Sequence, residues 1–440
     1  AALVREEEQQ YIPFIAGAIF SALVVGFPVG LLLAHAAAQG GTLGGRWPAL
    51  AQVHGHIQLA GWLGLFLMGM GYRLVPRFSG VKVRPAGLVP LTFGLMAAGL
   101  SLRAVSQPWA EEAPLAGLWV GAAALEAAAA LLFATVILRC LATGRHDQYG
   151  YTPFFAAGAA WLAVAALLTL AFVADAVVHG VTTIDPPRSW AVAFVMLYGF
   201  AASFVFAVSL RTFPVFFERK PAPRVATVAA WALAQGGTAA YASALVWQSY
   251  DRAADVRLLL SAAFLSVGVA LAGLVVLLRI FEGTPHRLRE SARRSMRFVR
   301  SAYAWLLIGA GMQVFFAARA LADERLPSYY ETDAVRHFLA VGFLTIMIIG
   351  MAFMVLPPLA MRRLRGRTAR LVAPAVLLLL HGAAAARGAG SLLANETKLE
   401  SGFWTMSAAG VLAVLAMAVF AVYLLWSPRT AVIPVAARAD

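Results

Sequence analysis

His56-Ile-Gln-Leu-Ala-Gly61-Trp62-Leu63 opens a run that continues through Gly69, Met70 and Tyr72 to Pro76, and the chain repeats it. The second copy reads His337, Gly342, Phe343, Leu344, Gly350, Met351, Phe353 and Pro357, with every spacing preserved. A third, degraded copy lies between them: Phe194, Gly199, Phe200, Ala207 and Pro214. It keeps the glycine, the aromatic and the proline, but carries Phe where the others carry His. Internal duplication constrains a fold more than local propensity does. It also sets two imidazoles at equivalent positions of two helices.

The chain around these runs has 440 residues, 61% of them hydrophobic and 13% charged, with a mean hydropathy of +0.77. A soluble domain this apolar would lack the polar residues to cover its surface. The composition is that of an all-α polytopic membrane protein, in which about 20 apolar residues make one span. The apolar runs are long and do not alternate, which excludes a membrane β-barrel. The net charge of +14 is not a nucleic-acid signal. Lys and Arg concentrate in alternate short loops, the positive-inside pattern, so membrane lipids are expected partners and nucleic acid is not. The one cysteine, Cys140, rules out a disulfide framework, a paired-Cys copper centre and covalent haem attachment. Ala1 to Glu8 has no cationic stretch leading into an apolar one, so no cleaved signal peptide is expected there.

Apolar runs set against turn and charge clusters predict twelve helices, near 11–38, 54–76, 86–105, 114–140, 152–178, 189–214, 225–248, 256–281, 298–321, 334–360, 370–394 and 402–426. Tyr11-Ile-Pro-Phe-Ile-Ala and Tyr151-Thr-Pro-Phe-Phe-Ala begin the first and fifth. Proline suits a first helical turn, where its missing N–H has no partner to lose. Three offsets agree: Tyr11 to Tyr151 is 140 residues, Pro76 to Pro214 is 138, and Pro214 to Pro357 is 143. Four spans per unit keep every unit in one orientation. The expectation is a single integral membrane domain of three parallel four-helix repeats, about 11–140, 151–281 and 298–426, in a pseudo-threefold arrangement. This differs from inverted-repeat transporters.

Loops after even-numbered spans hold most of the basic residues, which puts them and both termini on the cytoplasmic side. His35, His54, His56, His179 and His337 then fall near the outer face, and His146 and His286 in inner loops.

Neutral imidazole is the commonest protein ligand for iron and copper. His56 and His337 share a depth by internal symmetry and are expected to hold one iron as a bis-imidazole haem. His54 and His56 diverge by about 200° on a helix, so a regular helix cannot aim both at one iron. That leaves one for the haem and the other for a second metal, a propionate or headgroup water. Gly61 and Gly69, and equally Gly342 and Gly350, form smooth faces on which a flat macrocycle or a neighbouring helix can come close. His381 is a candidate because an ionisable group within a span is costly and tends to be functional. His35 and His179 are metal candidates at the outer side, although a lone histidine near a helix end is ordinarily interfacial. Arg188, Arg336 and Arg387 are placed to meet propionates or to anchor at the interface. Glu126 and Asp175 are in-span carboxylates, to be protonated, paired or part of a proton route.

Val53-His54-Gly55-His56 with Gly61-Trp62 and Val75-Pro76, Arg211-Thr-Phe-Pro-Val-Phe216, and the stretch from His337 to Met351 resemble segments of the NnrS family. The resemblance covers most of the chain through short motifs. It implies a haem- and copper-containing bacterial inner-membrane protein linked to nitric oxide metabolism and nitrosative stress. One departure is Ile57, where that family often has Glu after His-x-His. The three-by-four plan also resembles subunit I of haem–copper oxidases and nitric oxide reductases, which implies a low-spin haem b held from the second and tenth spans. That family places copper on histidines of spans 6 and 7; here span 6 reads Phe194-Val-Met-Leu-Tyr198 and span 7 has no His. Three functions follow as expectations: an NnrS-type haem protein acting on nitric oxide or a related small molecule; a reductase drawing on quinol or another electron donor; and a transporter or scaffold without haem.

Overall fold

The computed structural model describes residues 9–145, 147, 149–283, 288, 290–359, 367–396 and 398–426. His146, His286, the basic segment 360–366 and both chain ends lie outside the described residues, as does the side chain of Pro357. Among the described residues the fold is entirely helical.

Among the described residues, eleven helices are long and apolar enough to cross a membrane. In chain order they are α1 (Ile12–Ala38), α2 (Trp47–Ser79), α3 (Leu88–Trp109), α4 (Ala113–Thr143), α5 (Thr152–Val178), α6 (Pro186–Phe216), α8 (Arg257–Leu278), α9 (Ala292–Ala322), α10 (Tyr329–Leu356), α11 (Leu371–Asn395) and α12 (Leu399–Leu425). A further helix, α7 (Arg224–Tyr250), is long enough but more polar. Its polarity is turned inward: Gln235 accepts from Trp161 Nε1 at 2.7 Å and donates to Ser203 Oγ at 3.2 Å. A hydropathy criterion therefore understates how α7 packs.

Proline opens α1 and α5, as expected for Pro13 and Pro153. Asp147 ties down the chain entering α5, accepting from the backbone N–H groups of Tyr149, Gly150 and Thr152 at 2.7–2.9 Å. Three helices begin earlier than the apolar runs suggest. Pro48 and Pro186-Pro187 sit in the first turns of α2 and α6. Ser328 and Glu331 form a reciprocal capping box at the start of α10. Polar first turns hid these starts from a hydropathy reading. His54, His56 and His337 consequently lie well inside their helices.

The core is built on α2, α6 and α10, whose apolar windows are 78%, 89% and 72% buried; no other span exceeds 56%. Each of the three contains an eight-residue π-helical interval: Ile57–Gly64, Val195–Ala202 and Phe338–Thr345. Each interval begins at the residue after His56, Phe194 or His337. A π interval widens the turn and re-aims side chains, and such intervals recur at functional sites. Trp62 Nε1 in the first donates to Thr345 Oγ1 in the third at 3.0 Å, across the centre of the molecule. Phe206, Tyr303 and Phe343 add an aromatic cluster with centroids 5.4–6.2 Å apart. At the periphery α12 packs on α1, which brings the two ends of the helical order together.

The three glycines of the repeated run share one role. A Cβ on Gly61 would meet Ser21 of α1, one on Gly199 would meet Trp161 of α5, and one on Gly342 would meet Trp305 of α9. Each glycine lets an inner helix close on the helix that precedes it by one loop.

Candidate metal centre between α2 and α10

His54 and His337 line one cavity of about 270 Å³. Its walls come from α1, α2, α10, α11 and α12, with Ala193 and Leu197 of α6 closing one end. Most of the lining is apolar, including Trp47, Trp62, Leu63, Phe403 and Met406.

Both imidazoles are oriented by backbone carbonyls. His54 Nδ1 lies 2.7 Å from the Gly26 carbonyl oxygen, and His337 Nδ1 lies 2.9 Å from that of Asp333. A carbonyl only accepts, so the proton sits on Nδ1 in both rings and Nε2 keeps its lone pair. Neither Nε2 has a protein partner among the described residues. Histidines that bind metals ordinarily donate their second N–H to a carbonyl or carboxylate, which fixes tautomer and ring plane. Gly30 makes room for the first ring, because a Cβ there would run into the His54 imidazole. Gly410 lets α12 come close to Leu31 of α1.

One end of the cavity is charged. Asp333 accepts from Arg387 Nη2 at 2.8 Å and from Ser391 Oγ at 2.7 Å, with Arg336 Nη2 at 3.4 Å. Its Oδ1 also lies 3.4 Å from His337 Nδ1. Arg336, Arg387 and His337 thus converge on one buried carboxylate, and both guanidinium groups border the cavity. A lone buried carboxylate would be costly; three donors offset that cost. Arg336 Nε and Gln58 Oε1 are buried, border the cavity and have no partner. A ligand with polar groups at those points would satisfy them.

The other predicted positions fall elsewhere. His56 does not face the cavity: its Nε2 lies 2.5 Å from Glu126 Oε2 of α4. Of the two candidates, His54 rather than His56 shares the cavity with His337. Gly61 and Gly342 serve helix packing against Ser21 and Trp305 rather than a macrocycle face. Both nitrogens of His381 are engaged, Nδ1 accepting from Trp305 Nε1 at 2.9 Å and Nε2 facing Ser301 Oγ at 3.0 Å. His179 is exposed and bonded to the Asp175 carbonyl at 2.8 Å, and His35 is exposed, edge-on to Trp404. Neither lines the cavity that His54 shares with His337. Arg188 is committed to Asp175 at 2.5 Å and to the Tyr250 ring, away from the cavity. Arg336 and Arg387, by contrast, border it.

Sequence reading missed Asp333, Gly30 and the Gly26 carbonyl. Asp333 carried a usable signal, since Asp333, Arg336 and His337 are spaced i, i+3 and i+4 and must share a helix face. Gly26 and Gly30 sit in a Gly- and Ala-rich helix and had none.

A second cavity of about 120 Å³ lies across α10, between α6, α7, α8 and α10. Its lining includes Phe194, Tyr198 and Tyr241 and contains no His, Cys, Asp or Glu.

Residues 218–429, just under half of the chain, match a family model described as "Domain of unknown function (DUF8744)". No curated protein matches. The matched segment spans α7 to α12 and so includes His337, Asp333, Arg336 and Arg387, but not His54.

Proposed function

We propose that this chain is an NnrS-type haem protein of the bacterial inner membrane, with haem b held between α2 and α10 by His54 and His337. The observation that carries this reading is the shared cavity in which two imidazoles, each with Nδ1 bonded to a carbonyl, leave Nε2 free. The donor set fits the group. His54 and His337 would hold the iron through Nε2, the apolar walls would face the macrocycle, and the Arg336 and Arg387 guanidinium groups would meet its carboxylates. Bound there, haem would supply one-electron redox chemistry, with His54 and His337 as the residues that would hold its iron.

The chain's own residues do the rest. The Gly26 and Asp333 carbonyls hold the rings in the metal-ready tautomer. Asp333 keeps both guanidinium groups at the cavity end and partly neutralises them. Trp47, Trp62 and Phe403 keep water from the centre. Two histidines lining one cavity would suit electron transfer or sensing in nitric oxide chemistry.

The same reading takes the architecture to be three parallel four-helix repeats around a pseudo-threefold axis, with α7 as the twelfth span. The three π-helical intervals and the three glycine contacts support it. The basic loops after the even-numbered helices orient the histidine-bearing end of α2 outward and the termini to the cytoplasm. Copper, if bound, has no clustered histidines to take it beyond His54 and His337.

The test is purification with haem supplied during expression, followed by a pyridine haemochrome assay and survival of a deletion strain under a nitric oxide donor. One b-type haem per chain and a nitric oxide-sensitive strain support the reading. Protein without a Soret band under haem-replete expression ends it.

A further inference from the structure

The cavity across α10 is built like the first with its metal ligands replaced by hydrocarbon. The offset that carries His56 to His337 also carries His54 to Val335, and the offset to the middle copy carries His56 to Phe194. Val335 and Phe194 both line the second cavity, as His54 and His337 line the first. The two cavities share Leu197, Tyr329 and Arg336 as a common wall.

The walls are flat and aromatic. Phe194 and Tyr241 stack with centroids 4.1 Å apart at 23°, and Tyr241 stacks on Phe264 at 5.5 Å and 29°. Among the polar groups bordering the space, the Ser261 hydroxyl, the Gln248 amide and the Arg336 guanidinium can each donate a hydrogen bond. Ser261 is 2% exposed and its Oγ has no partner. Thr169, Thr212, Thr227 and Thr238 each return their hydroxyl to the carbonyl four residues back. Ser261 makes no such bond, and a buried hydroxyl left unpaired is costly unless something else completes it. Arg336 lies 3.4 Å from Asp333, a carboxylate it shares with Arg387, so its charge is partly offset. An engineered apolar cavity of roughly 150 Å³ holds one benzene ring, and this one is of similar size.

We infer that the second cavity binds a single-ring quinone or hydroquinone. A planar, uncharged, membrane-soluble ring fits the stacked aromatics, and its oxygen atoms accept from Ser261 and Gln248. The binding stands apart from the haem reading. Only the further notion that such a molecule is the electron donor to the first cavity rests on it.

The test uses the full-length protein in detergent micelles and an azido-substituted, single-ring benzoquinone with a short alkyl tail. After illumination, labelled peptides are mapped by mass spectrometry, and haem content is measured on the same samples. Saturable labelling within 190–198, 241–264 or 326–336, competed by the unmodified quinone, is the expected result. Ser261→Ala should weaken half-saturation about tenfold, the order lost with one buried hydrogen bond. Ala317→Phe, which fills the space, should abolish labelling. Labelling that does not saturate, maps elsewhere, or is unchanged in folded Ser261→Ala protein overturns the inference. Saturable labelling of protein that binds no haem would sink the haem reading and leave this one standing.

Discussion

His54 and His337 come from helices almost three hundred residues apart in sequence, yet they border one cavity with the same tautomer imposed on both. Each Nδ1 is held by a main-chain carbonyl, at 2.7 Å and 2.9 Å, and each Nε2 is left without a protein partner. The haem reading rests on these two half-buried imidazoles, which line one largely apolar space.

Gly30 is predicted to be as important to this site as the histidines. A methyl group there would occupy the volume of the His54 ring. Gly30→Ala should displace the imidazole and lower haem content, with overpacking costing about 1–3 kcal/mol. Gly94→Ala has open space around it and should leave the spectrum unchanged. Comparing the two Soret bands at equal protein concentration checks this.

Asp333→Asn should be among the more destabilising single changes in the chain. It removes the carboxylate on which Arg336, Arg387 and His337 converge and leaves two guanidinium groups unpaired. Breaking a buried ion pair costs about 3–5 kcal/mol; these arginines are partly accessible, so about half that is expected here. Thermal unfolding in detergent reads it, while the His337 ring, held by the Asp333 main-chain carbonyl, should keep its orientation.

The three inner helices explain what was legible in the sequence and what was not. Equal spacing identified α2, α6 and α10 as counterparts, and the π-helical intervals after His56, Phe194 and His337 match that equivalence residue for residue. The sequence left open whether His54 or His56 lies beside His337: His54 and His337 line one cavity, while His56 contacts Glu126 of α4. Asp333 could have been read from its helical spacing. The Gly26 carbonyl and the room made by Gly30 are backbone features set by packing, and no residue pattern announces them.

His56 and Glu126 should behave as one coupled unit outside the haem site. Their 2.5 Å contact is buried beside Arg103, which is itself buried, with Nε and Nη1 lacking partners. A double-mutant cycle with His56→Leu and Glu126→Leu should return a coupling of about 1–3 kcal/mol. Haem content should stay near wild type in all three variants. Additive losses would show that the contact contributes little.

Thr345→Val tests the link across the centre. It leaves the buried Trp62 N–H without an acceptor, at a cost of about 1–3 kcal/mol. Trp62→Phe with Thr345→Val should recover part of that loss, because no donor then remains unpaired. Denaturation midpoints of the single and double variants check it.

The central claim is the identity of the iron ligands, and low-temperature electron paramagnetic resonance of haem-loaded His54→Ala, His337→Ala and His56→Ala proteins tests it most directly. Wild type and His56→Ala should both give the low-spin signal of two axial imidazoles, while His54→Ala and His337→Ala should lose it or turn high-spin. A low-spin signal that survives in His54→Ala and disappears in His56→Ala would contradict the account.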